Sequence, residues 1–173
     1  NCYTSSCSQV NEKLNEVKDK SKKIGINLYQ GNEIYVTENI VKLINKKECM
    51  SLNKSKYVLF ELPMRDFPIN LDTIIYLLLE NNYIPIIAHP ERYKYVQENP
   101  NFLIDYKEKG VLFQSNFGSV AGIYGSEVKK TIKKLLTHDM VHFLSSDVHK
   151  ENTIYKLIPE IINNLNKSIG EEK

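Results

Sequence analysis

A chain of 173 residues suffices for one domain that buries most of its apolar surface without disulfides. With 42% hydrophobic and 25% charged residues it has the balance of an ordinary globular protein, and a formal charge of +2 builds no field that would recruit nucleic acid or anionic lipid. No apolar run approaches the ~18 residues of a membrane span, nothing resembles a secretory leader, and Cys2, Cys7 and Cys49 are spaced irregularly, as suits free thiols in a reducing, cytoplasmic compartment.

In chain order, Val10, Leu14 and Val17 mark a helix over residues 8–23, with Ser6 and Gln9 placed as a capping box and Gly25 as its stop. An extended run covers 26–36 and a helix 39–47. A strand at 57–62 leads to a helix at 70–81, and a strand at 83–88 to a helix at 100–109. The strand at 111–115 is followed by a helix at 126–138 with Val128, Ile132, Leu135 and Leu136 on one face. The last pair is a strand at 141–146 and a helix at 150–166.

Polar residues close these strands at a steady interval. Glu33 to Glu61 is 28 residues, Glu61 to His89 is 28, and the steps to Asn116 and Asp147 are 27 and 31. One βαβ unit occupies about 30 residues, so the strands are expected to run parallel with these side chains at their carboxyl ends, where α/β sheets and barrels place ligands. A closed eight-unit barrel needs about 250 residues. Five units are therefore expected to be an incomplete or distorted (β/α) TIM-like barrel, in a single domain over 1–173 that is either part of a longer barrel or one with its first units deleted.

Asp147 and His149 stand two apart after an apolar run, so an extended chain would send both to one side. Each candidate has a plainer reading. Glu33 suits a solvated turn, His89 a histidine bonded to backbone, Asp147 an N-cap and His149 a first helical turn. Glu61 resists it, because a carboxylate inside Val58-Leu59-Phe60-Glu61-Leu62 is costly unless a cation or strong donors meet it. His138 and His142 read as structural. Carboxylates and imidazoles converging without thiolate suit manganese, iron or zinc, ions that activate water and hold a phosphoryl oxygen. Of 23 basic residues only Arg65 and Arg92 are arginine, and each follows a candidate ligand within four positions; the guanidinium fork matches phosphate. No cysteine has arginine six positions later, so cysteine-dependent phosphatase chemistry is absent.

Gly31-Asn32-Glu33-Ile34-Tyr35, Phe60-Glu61-Leu62-Pro63, Ala88-His89-Pro90-Glu91-Arg92-Tyr93, Phe113-Gln114-Ser115-Asn116 and Ser146-Asp147-Val148-His149 resemble, in order and spacing, a known family. It is the bacterial manganese-dependent protein-tyrosine phosphatases of the polymerase and histidinol phosphatase (PHP) superfamily, the CpsB/YwqE kind. The resemblance runs over about residues 8–166. It implies a distorted barrel with up to three ions that hydrolyses phosphotyrosine on a bacterial tyrosine kinase governing capsular or extracellular polysaccharide synthesis. By position, Glu33, Glu61, His89, Asp147 and His149 match metal ligands, Arg92 matches the arginine that holds phosphate, and Gln114 and Asn116 match a polar strand end beside the substrate.

Two departures from the family pattern stand out. The family opens with a strand bearing His-x-His, then an aspartate and a Thr-Pro-His stretch, none of which this chain carries. It also tends to place an arginine after Ser-Asp-x-His, where Lys150-Glu151-Asn152 stands here. The leading expectation is thus a metal-dependent protein-tyrosine phosphatase. The alternatives are a phosphatase of a small phosphomonoester such as histidinol phosphate, and a catalytically incomplete fragment that acts only by binding. Oligomeric state is left open.

Overall fold

The computed structural model describes residues 7–149 and 154–169, with side chains through Lys167. Ser6, Cys2 and Lys150-Glu151-Asn152 lie outside the described residues. The first helix, α1, spans Cys7–Lys23 and leads to the short strand β1 (Glu33–Tyr35) and helix α2 (Ile40–Asn45). Strand β2 (Tyr57–Glu61), helix α3 (Leu71–Glu80) and strand β3 (Ile84–Ala88) follow. After a 3-10 turn at Pro90–Arg92 come α4 (Lys94–Glu98), a second 3-10 turn at Pro100–Leu103, and α5 (Ile104–Glu108). The rest is β4 (Leu112–Asn116), α6 (Phe117–Ala121), α7 (Ser126–Thr137), β5 (Phe143–Ser145) and α8 (Ile154–Ile169).

Strand order in the sheet is β1-β2-β3-β4-β5. Chain order without reversal is the succession of a (β/α) barrel, not of a doubly wound sheet with a switch point. Where register is defined the strands are parallel. Glu33, Ile34 and Tyr35 face Leu59, Phe60 and Glu61, and Gln114, Ser115 and Asn116 face Phe143, Leu144 and Ser145.

Six helices stop in the same way. After α1, α2, α3, α5, α6 and α7, one residue turns left-handed (Gly25, Lys47, Asn82, Gly110, Gly122 and Asp139, φ between 55° and 89°). Its N–H and that of the next residue reach back to the last turn, as Gly25 to Lys22 O at 3.0 Å and Ile26 to Ser21 O at 2.9 Å. This is the Schellman closure. It satisfies the terminal carbonyls and, in most of the six, is followed by an apolar residue, such as Ile26, Tyr83, Val111, Ile123 or Met140.

The chain divides into two compact units. The first holds the described residues through Glu61 with Ile69–Ile86. Its core is Ile40, Val58, Phe60 and the α3 face Leu71, Ile74, Ile75 and Leu78, all at most 1% exposed. The i, i+3, i+4, i+7 spacing of that face is what made α3 legible. The second unit holds Leu62–Pro68 with Ile87 onward, and its core includes Tyr93, Val96, Leu103, Val111 and Phe113, each 0% exposed.

In this second unit Tyr93 acts as a tie. Its hydroxyl accepts from Leu62 N–H at 2.8 Å and donates to Ala88 O at 2.7 Å. Tyr93→Phe strands two buried backbone groups, so a loss of about 2 kcal/mol is expected in urea unfolding. A loss under about 0.5 kcal/mol would show that water replaces the hydroxyl.

Differences from the sequence expectations have local causes. The extended run at 26–36 yields a strand only at Glu33–Tyr35, because the residues before it bond a loop. Asn32 N–H donates to Met50 O at 3.3 Å, Asn53 N–H to Gln30 O at 2.6 Å, and Met50 N–H to Asn32 Oδ1 at 2.9 Å. Glu33 therefore opens β1 instead of closing it. The helix expected over 100–109 begins as a 3-10 turn with Pro100 at its first position, and the helical segments at 90–98 and α6 were not foreseen, being too short for periodicity. Of the helix expected over 150–166, the described part starts at Ile154.

His142 is structural, as expected. The Phe113 N–H donates to its Nδ1 at 3.0 Å, and burial first, then the charge of Lys107, holds its pKa below the usual histidine value. An unfolded chain would protonate His142 first. Between the ordinary value, near 6.5, and the lowered folded value, the unfolded state binds more protons. This contribution to stability is thus complete above about pH 6.5 and is lost as pH falls through the folded value. Urea midpoints between pH 7.5 and 5 should drop more for the wild type than for His142→Gln; equal drops would remove this account.

Candidate metal and phosphate site

Parity in β1 and β2 places Glu33 and Glu61 on one side of the sheet, although register sets Glu61 opposite Tyr35, one pleat beyond Glu33. The glutamate stem spans that offset. One ligand atom from each of Glu33, Glu61 and His89 lies within 4.8 Å of the others. The three range from exposed Glu33 through half-buried Glu61 to buried His89. Ligands about 2.0–2.2 Å from one cation sit roughly 3–4.4 Å apart, a spacing of the same size as the one found here. Two carboxylates and an imidazole are a donor set for manganese, iron or zinc.

His89 follows β3 with φ 34° and ψ 53°. A residue before proline ordinarily stays extended; His89 is instead left-handed, a conformation that costs a non-glycine residue about 1–3 kcal/mol and concentrates at functional sites. Two bonds hold it there. Its N–H donates to Gln114 O at 2.5 Å, and its carbonyl accepts from Arg92 N–H at 2.9 Å. Gln114 thus enters through its carbonyl, and the turn Pro90–Arg92 fixes Arg92 relative to His89.

Arg92 belongs to a second cluster. Its Nη1 lies 3.3 Å from Asp147 Oδ2, and Asn116 Nδ2 donates to the same oxygen at 2.7 Å. Asp147 is also left-handed, φ 46°, and β5 ends at Ser145, so strand alternation does not relate Asp147 to His149. A turn does: His149 Nδ1 lies 3.1 Å from Asp147 O and 3.5 Å from Asp147 Oδ1. Both remain adjacent, by a different local geometry from the one their spacing implied.

Glu91 was not singled out from the sequence, yet it underlies this cluster. It is 0% exposed. Its Oε1 accepts from Asn116 N–H at 3.0 Å and from Ser119 Oγ at 2.5 Å, and its carbonyl accepts from Gln97 Nε2 at 3.1 Å. Chained bonds thus run from Glu91 through Asn116 to Asp147. Glu91 Oε2 and Asn116 Oδ1 are buried with no hydrogen bond among the described residues, and buried polar atoms of this kind call for an explanation such as strain, a catalytic role or a bound water or ion. The signal was available in His-Pro-Glu-Arg-Tyr, but charge alone did not mark Glu91 as buried.

Fold and site together define an α/β protein of the PHP type with a candidate divalent-metal centre. A family model for capsular polysaccharide synthesis proteins, CpsB/CapC, matches residues 2–173, and the chain belongs to that family. The putative tyrosine-protein phosphatase CapC of Staphylococcus aureus is 38% identical over 149 residues, which are 85% of this chain and 58% of that protein. The tyrosine-protein phosphatase YwqE of Bacillus subtilis is 35% identical over 149 residues, 86% of this chain and 59% of that protein. A solved structure, from work on YwqE and on CpsB of Streptococcus pneumoniae described as unique metal-dependent tyrosine phosphatases, superposes with a TM-score of 0.89 at 32% identity. It covers 96% of this chain and 68% of the other. The chain thus spans just under three fifths of the CapC and YwqE relatives. Among the described residues no helix is long and apolar enough to cross a membrane.

Proposed function

We propose that the protein is a metal-dependent protein-tyrosine phosphatase whose substrate is phosphotyrosine on a bacterial tyrosine kinase controlling capsular polysaccharide assembly in the cytoplasm. The observation that carries this reading is the approach of Glu33, Glu61 and His89 to within 4.8 Å, with Arg92 on the turn that follows His89. Relatives named as tyrosine-protein phosphatases support the choice of substrate class.

In this reading Glu33, Glu61 and His89 hold manganese, with Asp147 and His149 as further ligands. Bound divalent ions would supply Lewis acidity and lower the pKa of water near the phosphorus. Arg92 donates N–H groups to the phosphate oxygens, countering charge that grows in the transition state. Asp147 restrains Arg92, Asn116 restrains Asp147, and Glu91 fixes Asn116, so the phosphate clamp is set before substrate arrives. Gln114 and Asn116 line the substrate side of the strand end.

Protein dialysed against chelator and reloaded with manganese is expected to hydrolyse a phosphotyrosine peptide faster, by kcat/KM, than histidinol phosphate. Preference for the small ester would move the assignment to small phosphomonoesters. Absence of both turnover and calorimetric metal uptake would leave only a binding role.

A further inference from the structure

Tyr124 is held from two sides. Its ring lies under the Arg92 guanidinium, with Cζ 4.7 Å from the ring centroid. On another side it packs against Gly118 so closely that a β-carbon there would come within 2.8 Å of Tyr124 Cε2 and 3.2 Å of its Cζ and hydroxyl. Gly118 is buried, and its carbonyl accepts from Ile123 N–H at 2.9 Å, closing the turn that delivers Tyr124.

Stacking uses a face of the guanidinium and leaves its in-plane donors free. Of the five N–H groups an arginine carries, one is directed at Asp147 at 3.3 Å; the others have no protein partner among the described residues. Arg92 also lines a cavity of about 570 Å³ with Met64, Gln97, Tyr124 and Val128. The ion pair engages one end of the fork at 3.3 Å, and the ring lies 4.7 Å from its central carbon.

We propose that Tyr124, seated on Gly118, is a positioning residue that sets the plane of the Arg92 guanidinium for phosphate. This rests on the phosphatase reading given above. Tyr124 acts through Arg92, and its hydroxyl takes no part.

The test compares Tyr124→Leu with Tyr124→Phe in manganese-loaded protein. Tyr124→Leu should raise KM for a phosphotyrosine peptide and the dissociation constant of inorganic phosphate about fivefold, with metal content unchanged. Tyr124→Phe keeps the ring face and should restore both values. Gly118→Ala, which displaces the ring, should weaken phosphate similarly, and it should add nothing in the Tyr124→Leu background, where no ring remains to be displaced. Unchanged phosphate binding in Tyr124→Leu, or failure of Tyr124→Phe to restore it, would overturn the proposal, whether or not Gly118→Ala folds.

A second readout separates this from failure of the phosphatase reading. Side-chain NMR of the Arg92 Nε–H should show an ordered group in the wild type and a mobile one in Tyr124→Leu, even in protein that turns over nothing. Equal order in both variants would refute the positioning role.

Discussion

Replacing Glu61 by glutamine is expected to abolish the proposed metal-dependent turnover while leaving the protein folded. The change keeps shape and removes charge at a half-buried position that ends a strand otherwise apolar, Tyr57–Glu61. Supporting groups around a metal typically cost 10–100-fold in affinity when lost, and a direct ligand should cost more. Losing the several kcal/mol that an ion supplies to the transition state lowers kcat by at least about 10². His89→Ala should match it in activity, and because alanine keeps a β-carbon the left-handed backbone at φ 34° is not relieved. Calorimetric titration and turnover, measured side by side, check both variants. Full metal uptake by Glu61→Gln together with wild-type turnover would remove the triad from the proposed centre.

Arg92→Lys should have the second largest effect. Lysine keeps the charge but loses the planar fork, and it cannot both reach Asp147 and stack on Tyr124 as Arg92 does, at 3.3 Å and 4.7 Å. Removal of a preorganised donor aimed at developing charge costs roughly 10²–10³ in kcat. Metal content should remain that of the wild type, which distinguishes this variant from Glu61→Gln. A normal kcat/KM on phosphotyrosine peptide in Arg92→Lys would mean that another group holds the phosphate.

The two variants probe different parts of one arrangement, and strain marks both parts. His89 and Asp147 are non-glycine residues at positive φ, 34° and 46°, each following a strand. Each is held by bonds to other segments: His89 N–H to Gln114 O at 2.5 Å, and Asp147 Oδ2 to Asn116 at 2.7 Å. Left-handed geometry at such positions costs free energy that packing elsewhere must offset.

The helices α3 and α7 could be read directly because their buried faces, Leu71, Ile74, Ile75 and Leu78, and Val128, Thr131, Ile132 and Leu135, recur at helical spacing. Strands β2, β3 and β4 were legible for a related reason, being apolar runs bounded by polar residues. Short elements escaped: five residues, as in α4 and α6, complete barely more than one turn and carry no period. Glu91 and Tyr124 escaped because a buried carboxylate and an exposed tyrosine look alike in sequence, and only their neighbours separate them.

Alternation of strands and helices, and the 28-residue steps from Glu33 to Glu61 to His89, were determined by the sequence alone, since hydrophobic period and repeat length are local properties. The meeting of those three side chains within 4.8 Å, the left-handed turns at His89 and Asp147, and the stacking of Tyr124 on Arg92 were decided only by tertiary structure. Each depends on strand register and on contacts between segments tens of residues apart, which no local pattern encodes.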